Sequence, residues 1–391
     1  MLLGEQMAST AAMRQVFSAT ASVQAMLAAE AGLTRAGAAC GLVPGDVAAR
    51  IVAVCAAGGV DTDKLAAEGQ LAGTVVVPLV AWLRAQMPEG QARYVHVGGT
   101  SQDIIDTGLV LQLRAGVVLL QDDLARMAQA AVDMVRDYAS TPMMARTLLQ
   151  AALPSRFGLK AAYWLAAIDD ARAAMDDEAA GALVLQCGGA AGTLDAVAGC
   201  AEAFMAAFGA ALGLAVPPLP WHTRRAPLLR LAAAMTGAVG VAGKIGTDIA
   251  LLMQNEINEV REPAAPGRGK SSAMAHKRNP TLSIAARAAS LRMPGYLAAL
   301  AGAQMQAHER AAGELQAEAA IWPGLMLCAS GAMAAMAEAM GGLEVDAAAM
   351  QRNVPDMPGA GAGAADMLVM RALAAHEDFE TTLKQKGLKT L

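Results

Sequence analysis

Between residues 101 and 138 the chain runs without proline, and apolar side chains such as Ile104, Ile105, Leu109, Leu113, Val117 and Leu120 recur on more than one face of a helix. A helix of that length with apolar character on several faces needs helical neighbours, so the pattern predicts a bundle. Two further long segments have the same texture: 226–262, which ends at Glu262-Pro263, and 280–340, where kinks are expected near Pro294 and Pro323. A shorter one covers 156–180. Frequent Ala and Gly allow close approach of helices, and the number of apolar faces predicts partners on other subunits as well. The first hundred residues read as a smaller helical region with turns at 41–45, 58–59 and 88–90. A Gly/Ala run at 359–365 reads as a linker before a final helix over 365–375. The resulting division is an N-terminal helical domain 1–95, a long-helix domain 96–340 and a short C-terminal helical domain 341–391.

Composition sharpens this to an all-α fold, because aromatic residues are only 3% of the 391-residue chain while Ala, Met and Leu dominate. The net charge of −5 gives no overall electrostatic footprint for nucleic acid or an anionic membrane. The five cysteines show no C-x-x-C spacing, which predicts reduced thiols, no zinc site and a cytoplasmic location. The N-terminus lacks the apolar core of a secretory signal. Residues 319–337 carry no charge and are long enough to suggest a membrane span, but Pro323, Gly324 and Ser330 interrupt them. A buried bundle helix is the expected reading, with no membrane partner.

Candidate chemistry is concentrated at 267–280, Gly-Arg-Gly-Lys-Ser-Ser-Ala-Met-Ala-His-Lys-Arg-Asn-Pro, where cations collect in an otherwise acidic chain. The closing Asn279-Pro280 is expected to cap and open a helix whose amide dipole points back at the loop. A serine hydroxyl is a poor base unless its alkoxide is stabilised, and such a loop is suited to doing so. At 96–103, Thr100 and Asp103 form a capping-box pattern at the start of the longest helix, with His96, Ser101 and Gln102 as added polar groups. Arg146 and Gln150 lie near another expected helix start. The glycine-rich 185–193 follows no strand, so it reads as close backbone packing and not as a dinucleotide loop. Residues 221–225, Trp-His-Thr-Arg-Arg, are either a surface charge cluster or part of a site.

Taken together, 96–107, 146–158 and 267–280 resemble the fumarase/aspartase superfamily, whose loop has the form G-S-S-x-M-P-x-K-x-N-P, and within it the 3-carboxy-cis,cis-muconate cycloisomerases. The resemblance implies three helical domains, a homotetramer whose central domains form a twenty-helix bundle, and active sites shared between subunits. It implies Ser271 as catalytic base and Lys277 and Asn279 as binders of a substrate carboxylate. Thr100, Ser101, Gln150 and Arg225 would make further substrate contacts; from the residues themselves, Arg146 is a further candidate for substrate binding, and His96 and His222 are both candidates for an acid or an orienting role. Lys270, Ser272, Met274 and His276 complete the loop. The implied substrate is a small polycarboxylate and no cofactor is required. Leu148 stands where many of these lyases have an acid histidine after R-T. Lys270, Ala275 and Ala226 replace the pattern's glycine, proline and aspartate. A β-elimination lyase acting on a substituted succinate and a catalytically silent homologue that binds a polyanion are the alternatives.

Overall fold

The structure, a computed structural model, describes residues 3–274, 276–357 and 361–385. Position 275 and residues 359–360 of the expected linker lie outside the described residues.

Two short helices, α1 (Leu3–Met7) and α2 (Ala11–Val16), precede the N-terminal group α3 (Ala19–Ala39), α4 (Gly45–Ala57), α5 (Thr62–Ala72) and α6 (Val76–Ala85). The long helix α7 (Ser101–Asp137) is followed by a hairpin of β1 (Pro142–Thr147) and β2 (Gln150–Arg156), then by α8 (Phe157–Ala182) and α9 (Ala201–Leu212). Next come α10 (Ala226–Leu252), β3 (Val260–Arg261), α11 (Thr281–Gly302) and α12 (Glu314–Gly341). The chain closes with β4 (Glu344–Val345), α13 (Ala347–Arg352) and α14 (Ala365–Gln385).

Five of these form an up-and-down bundle in which α7 packs on α8, α8 on α10, α10 on α11, α11 on α12, and α12 back on α7. At 1.5 Å per residue α7 alone is about 55 Å long, and this sets the bundle's height. One continuous apolar core runs through it and joins the N-terminal helices, with Leu27, Ile51, Leu79, Leu113, Trp164, Met235 and Trp322 all buried. The uncharged 319–337 lies within α12, whose Leu325, Met326, Cys328, Ala329 and Met333 face that core. By length and composition alone α10, α12 and residues 195–212 could each cross a membrane.

The expected helices at 101–138 and 156–180 match α7 and α8 within two residues. The other long segments differ. Helix α10 stops at Leu252, because Asn258 turns left-handed (φ 48°) and the Glu259 amide returns to the Leu252 carbonyl, freeing 253–262 to carry two buried acids. The segment 280–340 is two helices with a break at 303–313. The two prolines stay inside α11 and α12, while Gly313 at φ 142° starts the second helix. The last helix runs to Gln385, ten residues past the expected end, because the Arg172–Glu380 ion pair and the His376–Asp169 hydrogen bond dock it on α8.

Candidate active site

At one end of the bundle, Asp103 in the first turn of α7 organises four donors. Its Oδ2 accepts from the amides of Thr100 (3.1 Å) and Gly189 (2.9 Å), and its Oδ1 from the Gly188 amide (3.0 Å) and His222 Nε2 (2.7 Å). The glycine-rich segment therefore serves close packing, as expected. A Cβ on Gly188 would come within 2.7 Å of the His222 ring. One turn on, Asp106 Oδ2 accepts from Gln102, Gln186 and Arg225, and the Arg225 guanidinium also engages Glu318 of α12. Arg225 is 1% exposed, with both carboxylates fully buried around it. Arg225, expected at a substrate contact, directs Nε, Nη1 and Nη2 hydrogen bonds to Asp106 and Glu318 inside the protein.

His96 sits at the opening of this end in a left-handed conformation (φ 68°), with Nδ1 2.6 Å from Oε1 of the buried Glu30 on α3. Burial pushes its pKa down, but the hydrogen bond and charge of Glu30, helped by Asp103, outweigh this and hold it above the ordinary histidine value. Thr100 and Ser101 are half-buried beside it. Arg310, from the loop between α11 and α12, donates Nη2 to the carbonyls of Gly189 (3.2 Å) and Ala190 (2.7 Å). The sequence reading missed Arg310 because it placed that loop inside one long helix.

The opposite end holds the other motifs. Arg146 is not near a helix start. It lies on β1, its two Nη atoms paired with the buried Glu259 carboxylate at 3.0 and 2.7 Å, and Gln150 is exposed at the foot of the hairpin turn. Leu148 and Leu149 form that turn with φ 51° and 63°, exposed, in a region where leucine costs roughly 1–2 kcal/mol. Behind the tip a cavity of about 330 Å³ is lined by Arg146, Lys160, Asp248 and Gln254.

The cationic loop projects from this same end. Gly269 is left-handed, and a Cβ there would meet the Asn279 carbonyl oxygen at 2.6 Å, so only glycine allows the neck of the loop to close. The neck is fastened by the Asn279 amide (2.9 Å) and Nδ2 (3.1 Å) donating to the Gly269 carbonyl, and by a bridge between Lys270 and Arg278. The Ser271 Oγ accepts from the amides of Ala273 (3.3 Å) and Met274 (3.1 Å). Lys270, Ser272, Met274, His276 and Lys277 are exposed, and among the described residues neither lysine forms an ion pair. The expected Asn279-Pro280 cap is not what closes α11. The Glu262 carboxylate accepts from the amides of Leu282 (3.1 Å) and Ser283 (2.7 Å), so this helix end is already occupied by an anion.

The motifs therefore fall into two groups, His96, Thr100, Ser101 and His222 at one end and Arg146, Gln150, Ser271, Lys277 and Asn279 at the other. They are separated by most of the ~55 Å length of α7.

Comparison with known proteins gives this arrangement a family. Residues 4–295 match the lyase family. The chain is 44% identical over 347 residues to a 3-carboxy-cis,cis-muconate cycloisomerase of Pseudomonas aeruginosa, covering 88% of this chain and 76% of that protein. It is 40% identical to a nitrosuccinate lyase of Streptomyces davaonensis, over 86% of this chain and 73% of that one. Among solved structures, the 3-carboxy-cis,cis-muconate lactonizing enzyme of Pseudomonas putida superposes with a TM-score of 0.90 at 34% identity, covering 97% of this chain and 99% of that one. The chain belongs to the lyase family, the fumarase/aspartase superfamily that its motifs resemble.

Proposed function

We propose that this protein is a 3-carboxy-cis,cis-muconate cycloisomerase, closing a triply charged diene acid to a lactone. One carboxylate oxygen attacks the conjugated double bond, forming C–O as the π pair moves to the neighbouring carbon. That carbon, next to a second carboxylate, becomes the α-carbon of a transient aci-carboxylate and then takes a proton. Ser271 transfers that proton, and Lys277 with the loop amides holds the carboxylate while it bears extra charge. The observation that carries the reading is Ser271 Oγ held by two backbone amides in a loop where, among the described residues, Lys270 and Lys277 form no ion pair, a setting that lowers the cost of its alkoxide. Similarity to the cycloisomerase relatives supplies the reaction class.

A complete site needs His96, Thr100 and Ser101 near Ser271, and one chain holds them at opposite ends. The protein accordingly works as an oligomer, a homotetramer by the family resemblance, in which antiparallel subunits bring unlike ends together. Exposed apolar side chains on the bundle's outer faces, Tyr163 on α8 and Ile284 and Leu291 on α11, support that association.

The decisive assay follows ultraviolet absorbance with the carboxylated muconate as substrate: its conjugated absorbance disappears if the reading is right. The second reading, elimination from a substituted succinate, is favoured by the nitrosuccinate lyase relative. Growth of fumarate absorbance from succinyl adducts, with no turnover of the muconate, would establish it instead.

A further inference from the structure

Glu30 is a carboxylate that the proposed chemistry leaves without a role. It lies in the middle of α3 on the buried stripe that includes Leu27, Ala31 and Thr34, and none of it is exposed. Only one of its oxygens is satisfied. Oε1 is 2.6 Å from His96 Nδ1, while Oε2 has no hydrogen-bond partner among the described residues. An isolated buried carboxylate is costly, so a position such as this is kept only if the charge is matched by its single close partner.

That partner is itself unusual. His96 is held left-handed, a conformation uncommon outside glycine that clusters at functional positions. The Cε1 edge of its ring lies 3.5 Å from where a Cβ on Gly99 would stand, immediately before Thr100 and Ser101. Its Nε2 has no protein hydrogen-bond partner among the described residues, and the side chain remains 16% exposed. One ring nitrogen is therefore anchored and the other is left for something outside the chain.

We infer that Glu30 is a positioning residue: by accepting from Nδ1 it orients His96 and keeps the ring as an imidazolium, so that Nε2–H donates to a carboxylate of the substrate. The chemistry requires the carboxylate and not merely a hydrogen-bond acceptor. With Nδ1–H fixed on Glu30, a neutral ring would offer Nε2 as a lone pair, which repels an anion, and only the doubly protonated ring presents a donor there. The other charged or titratable groups facing the pair are Asp103 from α7, which favours the imidazolium, and Arg84 from α6, which opposes it. Cys55 of α4 and Arg35 of α3 lie on the Glu30 side. The burial that depresses the ring's pKa is overcome in the native protein, mainly by Glu30, so removing the charge lets burial prevail.

This inference rests on the cycloisomerase reading for its substrate, but its first test does not. Histidine ring signals are followed by NMR against pH in the wild-type protein, with H96Q to assign His96 among the five histidines. His96 is expected to titrate above the ordinary 6.5, and to titrate at a lower pH in E30Q. Titration of wild-type His96 at or below 6.5 overturns the inference whether or not E30Q folds. The second test is the pH dependence of turnover of the carboxylated muconate. In E30Q the alkaline rise in KM is expected at lower pH than in wild type, with kcat changed less than about twofold. If the NMR shift appears but the KM profile does not move, the pair is structural and the positioning role is overturned. If wild type does not turn over the muconate at all while His96 titrates as expected, the substrate reading fails and the pair stands.

Discussion

The two ends of the bundle solve opposite electrostatic problems. At the α7 end, Asp103, Asp106, Arg225 and Glu318 are nearly solvent-free, and the Arg225 guanidinium is paired with both Asp106 and Glu318. At the loop end, Lys270, His276 and Lys277 face solvent without ion pairs among the described residues, on a loop fastened at its neck by Asn279 and Arg268. The first is a rigid half-site built before substrate arrives. The second gains its electrostatic partner only when an anion binds. Preorganisation and adaptability are thus placed on different elements of one chain.

Breaking the rigid end should have the largest effect. Arg225→Met leaves Asp106 and Glu318 buried and facing each other unpaired, with an expected loss of about 3–5 kcal/mol of stability. The urea midpoint of the purified protein reads this directly, and a midpoint within error of wild type would mean that the triad is not what holds α7, α10 and α12 together. The loop end should behave in reverse. Ser271→Ala is expected to lower kcat on the order of 10²–10⁴-fold while leaving the unfolding midpoint unchanged, because only two loop amides bond to that hydroxyl. Activity that survives the change would remove Ser271 from the proton transfer.

An intermediate case tests the joint between loop and bundle. Glu262 is buried, yet it sits at the neck end, receiving the first amides of α11 and the Ser283 hydroxyl at 2.7 Å. Glu262→Ala strands those donors and should cost about 1–3 kcal/mol. If α11 instead begins on its own dipole and Asn279, the loss will be near zero in thermal denaturation.

The same contrast explains what could be read from the chain. Helices α7 and α8 were legible because apolar periodicity is a local property, and so was the capping role of Asp103 opposite Thr100. The break at 303–313 was not, since Ala and Gly continue through it and the feature that needs the loop, Arg310 reaching Gly189 and Ala190, spans about 120 residues of sequence. Pairings such as His222 with Asp103 and Arg146 with Glu259 join residues more than 100 apart, and no spacing rule encodes them. Glu30 did carry a local signal, a lone acid on the apolar stripe of α3, which is the pattern of a buried charge awaiting a partner. The separation of the motifs to two ends follows only once the bundle's direction is known.

The smallest expected effect lies at Lys270, where the family pattern has glycine. Its side chain is exposed and joins no ion pair among the described residues, so Lys270→Gly should leave stability within about 0.5 kcal/mol of wild type. Its bridge partner across the neck is Arg278, so two cations stand together beside Ser271. A solvent-exposed charge contributes on the order of 0.2–1 kcal/mol to an ionic contact, equivalent to a roughly 1.4–5-fold rise in KM for a triply charged substrate. Because the loop is open to solvent, that rise should shrink at high salt, where exposed charges are screened within a few ångströms. A KM change that persists at high salt would place Lys270 in a desolvated contact, and the loop would then belong with the rigid end in its physical character.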